Sequence, residues 1–275
     1  MRISTLTLLD RSNQISFKFD GKRLFGYVGD TLASALLANN VKLLGRSFKY
    51  HRPRGLLTAG SEEPNALVSI LKDGQLTPNL RATEVEIYNN LEVFSQNRWP
   101  SIKFDILRIN DFLSPFLGAG FYYKTFMWPK SFWEKLYEPI IRQAAGLGQL
   151  SPVADNSKHE KAFAFCDILV IGAGPSGIMS AMTAALSGAQ VILVDEDFIC
   201  GGRLNSETFK VDGKAAFEWA KINVSKLKSM SNVRIFSRTT IVGLYDGNNY
   251  AGIQKVGEYL ENPKEDLPDS VFWRI

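Results

Sequence analysis

A glycine-rich loop is the part of this sequence whose residue types and spacing point most directly to chemistry. It consists of Gly172, Ala173, Gly174, Pro175, Ser176 and Gly177. An apolar segment precedes it and a segment with helical spacing follows, which is the context in which such a loop binds a dinucleotide. There Gly172 forms the turn, Gly174 admits a pyrophosphate, and Gly177 allows close helix packing. The positive helix end, with Ser176 in its first turn, favours the same anion.

Two acidic residues follow the next apolar segment. Asp195 and Glu196 lie about 20 residues beyond the loop, the separation at which a dinucleotide fold places its ribose-binding acid. We expect Asp195 to accept hydrogen bonds from the adenosine ribose. The two negative charges repel a 2′-phosphate, so NAD or FAD is favoured over NADP. The alternatives are a glycine turn without a ligand and a truncated domain that has lost binding.

Three further residues extend this predicted site. Gly202, in the pair Gly201-Gly202, allows the chain to pass close to a cofactor, and Arg203 is placed to contact a phosphate or the adenine. An ordinary surface turn accounts for these residues equally well. Val242 belongs to a later strand, where such folds offer backbone groups to the adenine.

Composition excludes several classes of protein. The chain has 275 residues, of which 45% are hydrophobic and 22% charged, as in folded proteins of about two domains. A net charge of +4 is too small to indicate nucleic acid. Glycines interrupt the uncharged stretch between 167 and 195, so we expect no membrane span. The short apolar stretch after Arg2 ends at Asp10 and Arg11, so we expect no export signal and take a cytoplasmic location as the default. With two cysteines and two histidines, we predict no disulfide framework, metal site or catalytic residue in this chain.

Residues 1–100 have the pattern of a small mixed α+β domain. Strands at 15–19 and 23–28 flank Asp20-Gly21, a strong hairpin signal. Asp30 or Thr31 caps a short helix at 32–39. Asp73-Gly74 marks a turn, and further strands are predicted at 66–71 and 83–88.

Residues 101–165 form a connecting segment rich in proline and aromatic residues. We expect short helices and extended pieces, because proline interrupts long helices. The aromatic side chains require burial against a neighbouring domain or a partner subunit. Residues 151–160 have the polar composition of a linker. The aromatic residues include Phe112, Phe116, Phe121, Tyr122, Tyr123 and Trp128.

Residues 166–275 alternate between strand and helix patterns, which predicts a parallel sheet in a Rossmann-type dinucleotide-binding domain. The strands are expected at 167–171, 190–194, 233–236, 241–245 and 250–256, and the helices at 176–187 and 215–230. The chain stops within another strand-like segment, so we expect this domain to be incomplete.

A cluster of basic residues occupies the loop that follows the first predicted helix. Its members are Arg46, Lys49, His51, Arg52 and Arg54. It is consistent with an anion-binding loop or a subunit contact, and also with a solvated basic loop, which we favour. One short basic run at this net charge does not indicate single-stranded nucleic acid.

Four stretches of the sequence resemble the N-terminal part of the alpha subunits of heterotetrameric sarcosine oxidases. They are GRSFKYHRPRG at 45–55 with EPNA at 63–66; GFYYKTFMWP at 120–129; YEP at 137–139 with IR at 141–142 and AAGLG at 144–148; and the glycine loop with Asp195-Glu196 and Gly201-Gly202. The resemblance covers essentially the whole chain. The second and third stretches are far more specific than the glycine loop.

This resemblance implies a flavoenzyme subunit. Such enzymes oxidise sarcosine to glycine, produce hydrogen peroxide and pass a one-carbon unit to tetrahydrofolate. The resemblance implies NAD on the dinucleotide fold of this chain, FAD and FMN in the assembled enzyme, and beta, gamma and delta type subunits as partners. It also implies that residues 1–100 form a ferredoxin-like (β-grasp) domain. That domain lacks cluster ligands here, because no cysteine precedes Cys166.

The expected fold class is therefore α/β, with the ferredoxin-like α+β domain followed by an incomplete Rossmann-type domain. Alpha subunits of this family are several times longer, so we expect this chain to be a fragment. Two alternatives remain. One is a subunit of a related opine or cyanide-forming glycine oxidoreductase with FAD in the loop, and the other is a non-catalytic scaffold.

Overall fold

Two compact units make up the protein, Arg11–Asp155 and Asn156–Ile275. The computed structural model describes residues 8–120, 126, 128–144, 148, 151–261 and 263–275. Within those ranges, no helix is both long enough and apolar enough to cross a membrane. The domain boundaries at 100 and 165 stay predictions.

A five-stranded sheet with one helix forms the body of the first unit. The strands of this unit are β1 (Asp10–Phe19), β2 (Lys22–Val28), β3 (Gly45–Arg46), β4 (Pro53–Arg54), β5 (Leu67–Lys72), β6 (Gln75–Arg81) and β7 (Glu92–Ser95). The sheet order is β2-β1-β7-β5-β6, with β1 parallel to β7 and β5 antiparallel to its two neighbours. Helix α1 (Leu32–Ala38) buries Leu32 and Leu36 in one core with Phe17 and Val68.

The first hairpin and the first helix form where the sequence predicts them. Asp20 and Gly21 both have positive φ, 47° and 78°, as a two-residue hairpin turn of the right twist requires. Thr31 is the N-cap of α1, since its hydroxyl accepts a hydrogen bond from the Ser34 amide at 3.2 Å. Asp30 instead accepts from the Tyr27 amide and the Ser34 hydroxyl.

Residues 83–88 do not form the predicted strand. Their burial alternates as predicted, but only Glu86 makes a ladder contact, a single bridge to Thr31. The ladder is completed by β6 and β7, which the sequence did not predict. Strand β6 contains Pro78 and an Asn79 with φ of 62°, and it is tolerated because it lies at the sheet edge.

The basic cluster at 46–54 is not simply solvated, contrary to the interpretation that we favoured. Arg46 is buried and donates to the carbonyl oxygens of Ile102 and His51. His51 is also buried, with Nδ1 2.8 Å from Oδ2 of Asp105. Arg52 pairs with Asp111 at 2.7 Å. These contacts attach the loop to the segment that begins at residue 101.

The described part of the connecting segment contains short helical pieces and an extended strand at His159–Phe163 near its end, in line with the short helices and extended pieces that we predicted. It contains a 3-10 turn at Ile106–Arg108, α2 (Ile109–Phe112), a π-type turn at Trp133–Tyr137 and α3 (Glu138–Ala144). Phe112, Phe116 and Trp128 are 85%, 68% and 83% exposed within this chain. Their burial against another domain or subunit stays a prediction, and Phe121, Tyr122 and Tyr123 lie outside the described residues.

The second unit contains a parallel three-stranded sheet, a second sheet of four strands, and two main helices. Its strands are β8 (His159–Phe163), β9 (Ile168–Ile171), β10 (Val191–Val194), β11 (Lys210–Val211), β12 (Lys214–Ala215), β13 (Val233–Phe236), β14 (Thr239–Tyr245), β15 (Asn249–Lys255) and β16 (Ser270–Arg274). The parallel sheet has the order β13-β10-β9. Helices α4 (Pro175–Leu186) and α5 (Ala216–Lys228) share a core with Leu193.

The second sheet differs from the all-parallel arrangement that we predicted. Its order is β14-β15-β16-β8, and only the β16–β8 pair is parallel. A tight turn at residues 246–248 joins β14 to β15, and such a short connection permits only antiparallel pairing. Strand β8 begins at His159, within the predicted linker, because the mostly polar strand His159–Phe163 carries no periodic apolar signal.

Candidate dinucleotide site

The glycine loop begins where the central parallel sheet ends. Strand β9 stops at Ile171, and Gly172 reverses the chain with φ of 97°, a conformation that side chains rarely adopt. The Gly172 amide donates to the carbonyl oxygen of Val194, the last residue of the neighbouring strand β10, at 2.7 Å. The turn is thus fixed to the end of both strands.

The second and third glycines of the loop have different roles. Gly174 is the N-cap of α4 with an ordinary φ of −70°, and a Cβ atom there would meet nothing within 4 Å. A Cβ on Gly177 would lie 1.8 Å from the Gly172 carbonyl oxygen. Gly177 is therefore required for the helix to meet the strand, whereas Gly174 leaves an open space above the backbone.

The first turn of α4 faces this open space with unused donors. Pro175 is the first helical residue and has no N–H group. Ser176 and Gly177 follow as the second and third, where the helix offers their amides no acceptor. The Ser176 side chain is exposed. A helix of 12 residues adds a partial positive charge at the same end, so the geometry suits an anion.

A second pair of glycines lies against the loop. The Gly201 amide donates to the Ala173 carbonyl oxygen at 2.8 Å. A Cβ on Gly202 would lie 3.3 Å from Cα of Gly174, so the two turns meet through their main chains. Arg203 points to solvent and pairs with Glu207 at 3.0 Å. Gly202 thus borders the predicted site, while Arg203 has an acidic partner on the surface.

The Asp195 side chain holds the glycine loop in place through a hydrogen bond to its backbone, a role that we did not predict from the sequence. The side chain is 7% exposed. Its Oδ2 accepts a hydrogen bond from the Ala173 amide, and Oδ1 accepts one from the Asp197 amide at 2.9 Å. Burial raises the pKa of this carboxyl above its ordinary value, while the two amide hydrogen bonds act in the opposite direction. Both oxygens are used within the protein, and no sequence signal marks this role.

Glu196 and Val242 complete the predicted set. Glu196 is exposed at the end of β10. Val242 is 55% exposed and lies at a β-bulge, where the register of β14 on β15 shifts between Ile241 and Gly243. A bulge leaves one residue out of the ladder, so the Val242 backbone is not fixed by the β14–β15 pairing.

The site has the features of binding more than of catalysis. Cys200 directly precedes the Gly201-Gly202 pair. Burial together with the Asp195 charge raises the pKa of its thiol to about 11. The thiol is therefore protonated at neutral pH. Over the described ranges, the chain has no group of three or more His, Cys, Asp and Glu residues that could hold a metal ion.

Two family profiles match separate parts of the chain. Residues 12–98 match a family described as a 2Fe-2S iron-sulfur cluster binding domain, and residues 167–240 match the FAD dependent oxidoreductases. The first region contains no cysteine, so it lacks thiolates for a cluster. The second region contains the glycine loop and Asp195.

Curated relatives match over nearly the whole chain. The sarcosine oxidase subunit alpha of Rhizobium meliloti (strain 1021) is 56% identical over 274 residues, which is 100% of this chain and 28% of the relative. The sarcosine oxidase subunit alpha of Corynebacterium sp. (strain P-1) is 31% identical over 259 residues, 93% of this chain and 22% of the relative. The chain thus spans about a quarter of the length of these relatives.

A solved structure supports the fold alone. The L-proline dehydrogenase from P. horikoshii superposes with a TM-score of 0.53 and 18% identity, covering 98% of this chain and 41% of the other. A region similar to a 2Fe-2S cluster binding domain thus precedes a region similar to FAD dependent oxidoreductases, and together with the mixed α/β structure this confirms the predicted fold class. Within that class, the chain is a homologue of sarcosine oxidase alpha subunits, which confirms the resemblance found in the sequence.

Proposed function

We propose that this chain is the dinucleotide-binding part of a sarcosine oxidase alpha subunit. In the assembled flavoenzyme, sarcosine is oxidised to glycine with formation of hydrogen peroxide, and the one-carbon unit is transferred to tetrahydrofolate. The identity of 56% over the chain to a sarcosine oxidase alpha subunit supports this proposal. The chain itself contributes binding and scaffolding, and the cell compartment that we propose is the cytoplasm.

NAD is the dinucleotide that we propose for the glycine loop. The observation that carries this proposal is the open space over Gly174 beside the unused amides of Ser176 and Gly177. The pyrophosphate binds there, and Glu196 accepts hydrogen bonds from the ribose. Asp195 acts through the loop, by holding the Ala173 amide. For the Val242 backbone we propose a contact with the adenine.

FAD in the same loop is the second candidate. The match of residues 167–240 to FAD dependent oxidoreductases favours it, and the pyrophosphate and ribose of FAD would use the same residues. Release of the bound cofactor by denaturation separates the two. NAD in the supernatant supports the first candidate, whereas flavin absorbance supports the second.

A binding experiment with two valine variants tests the site. NAD and FAD are titrated into the purified chain and into Gly174→Val and Gly118→Val. Gly174→Val fills the space over the loop without backbone strain, and we expect it to abolish binding. Gly118 has equally open surroundings in the first unit and is the matched control.

The thermal unfolding midpoint serves as a parallel readout. A ligand at about 100 times its dissociation constant stabilises the protein by about 2.7 kcal/mol, so binding shifts the midpoint upward. Gly174→Val at a helix N-cap costs about 1 kcal/mol by itself, which the unliganded midpoint reveals. Unchanged affinity in Gly174→Val contradicts the site, and no affinity for either dinucleotide in the parent chain favours a non-catalytic scaffold.

We further propose that partner subunits of beta, gamma and delta type bind this chain, with FAD and FMN held in the assembly. The exposed aromatic side chains of Phe112 and Phe116 support a contact surface in the connecting segment. Co-purification with a beta-type subunit tests it. The double variant Phe112→Ser, Phe116→Ser is expected to lose the partner while keeping its own unfolding midpoint, and undiminished co-purification contradicts the proposed surface.

A further inference from the structure

The loop between β4 and β5 encloses a buried carboxylate that plays no part in the dinucleotide site. Residues 55–66 form neither helix nor strand. Glu63 lies among them, and its relative exposure is 0%. A buried carboxylate requires compensation of its charge, because removing an isolated anion from water is very unfavourable.

Backbone amides of the same loop compensate this charge. The amides of Leu57 and Thr58 each donate to Oε2 of Glu63 at 2.7 Å. The amide of Asn65 donates to Oε1 at 2.8 Å. Within the described part of the chain, no lysine, arginine or histidine forms an ion pair with Glu63. Main-chain dipoles therefore hold the negative charge.

Converging amides of this kind form an anion-binding concavity, which proteins use for phosphates and for iron–sulfur clusters. The loop lies within residues 12–98, which match a cluster-binding family. Those residues include no cysteine, and a cluster of this type needs about four thiolates. The loop has donors for an anion and no ligands for iron.

We propose that the 55–66 loop is an anion-binding loop whose permanent occupant is the chain's own Glu63 carboxylate. The carboxylate orders the loop in place of a bound cluster. The first unit therefore folds around an internal anion, and its residues supply no thiolate for a cluster. This proposal is independent of the dinucleotide, since all of its contacts lie within the first unit.

Chemical rescue provides the test. Glu63→Ala removes a CH2–COO⁻ group that acetate matches in size and charge, and it leaves three amides without an acceptor. In the full chain we expect the unfolding midpoint to fall by about 3–10 °C. Acetate, added at constant ionic strength, is expected to raise that midpoint in a saturable manner, and acetamide, its neutral counterpart, is not.

Glu62→Ala is the matched control, because it removes the same charge from the adjacent position. Its midpoint and that of the parent chain are expected to be insensitive to acetate. A Glu63→Ala midpoint that acetate leaves unchanged, or that acetamide raises equally, overturns the proposal.

Amide hydrogen exchange in the unsubstituted chain gives a readout that does not depend on a variant folding. The Leu57, Thr58 and Asn65 amides are expected to exchange at least 100-fold more slowly than free peptide amides, because they donate to a buried acceptor. Unprotected exchange at these three amides overturns the proposal. So does a [2Fe–2S] absorption spectrum after anaerobic incubation of the chain with iron and sulfide.

Discussion

Two buried carboxylates of this protein, Asp195 and Glu63, act through main-chain amides. Asp195 holds the glycine loop by its contact with the Ala173 amide, and Glu63 holds the 55–66 loop through three amides. The exposed Glu196, one residue after Asp195, remains able to reach a ligand. At the residue scale, the acid that positions the loop and the acid proposed to contact the ribose are therefore adjacent but different.

Substitutions at the two adjacent acids separate these roles. Asp195→Asn places an amide group against a backbone donor, so we expect a loss of about 1–3 kcal/mol in the free energy of unfolding. Glu196→Gln is exposed and is expected to change that free energy by less than about 0.5 kcal/mol while weakening NAD binding. Urea unfolding and NAD titration measure both. Normal NAD binding by Glu196→Gln, together with weakened NAD binding by an Asp195→Asn variant of unchanged stability, would assign the ribose to Asp195 instead.

The pH dependence of stability reports on Glu63. Burial alone would raise the pKa of this carboxyl, but its hydrogen bonds to Thr58, Asn65 and Leu57 outweigh burial and lower the pKa below 4.5. The unfolded state then binds the proton more readily, so the stabilisation is present above pH 4.5 and is lost as the pH falls through the folded pKa. We expect the stability difference between the parent chain and Glu63→Gln to shrink below pH 4.5. A difference that is constant from pH 3 to 7 contradicts this.

The two thiols are expected to react slowly in the folded protein. Burial raises the pKa of Cys166, and it raises that of Cys200 to about 11. At pH 8 only about one Cys200 in a thousand is a thiolate, against roughly a quarter of a free thiol. Alkylation by iodoacetamide, followed by mass spectrometry, should be about 100-fold slower at Cys200 than in urea. Equal rates in both conditions would show that Cys200 is not shielded.

The elements that the sequence predicts well are those with a local signal. Asp20-Gly21 specifies a hairpin, and the glycine loop between an apolar strand and a helix specifies a βαβ unit. Strands β7 and β8 were missed because their pairing depends on distant partners, β1 for β7 and β16 for β8. Strand β6 pairs with the neighbouring β5, but it contains Pro78 and lacks an alternating apolar pattern, so its sequence does not indicate a strand. Residues 83–88 show the converse, since alternating burial there reflects the first core and not a ladder.

A matched pair of serine substitutions tests how the loop joins strand and helix. Gly177→Ser places a Cβ 1.8 Å from the Gly172 carbonyl oxygen, so the helix must shift, and we expect a loss of about 1–3 kcal/mol or more. Gly174→Ser meets no atom within 4 Å and keeps a favourable N-cap residue, so stability should change little. Thermal unfolding compares the two. Equal destabilisation would mean that the helix does not start as described.

At the scale of the whole molecule, the resemblance to sarcosine oxidase alpha subunits predicted more about this protein than its amino-acid composition did. The family could be predicted because several motifs are specific, and the homologues at 56% and 31% identity agree with it. The role of Asp195 could not be predicted, because sequence spacing places an acidic residue at a strand end without showing in which direction its side chain points. The exposed side chains of Phe112 and Phe116 belong to this scale too, because we propose that a partner subunit covers them.

The position of the pyrophosphate is the central claim. A crystal structure of the chain with saturating NAD measures it directly. We expect pyrophosphate oxygens within 3.5 Å of the Ser176 and Gly177 amides, over Gly174, with the ribose hydroxyls beside Glu196. A nucleotide bound elsewhere with this loop empty, or pyrophosphate oxygens more than about 4 Å from those amides, would contradict the account.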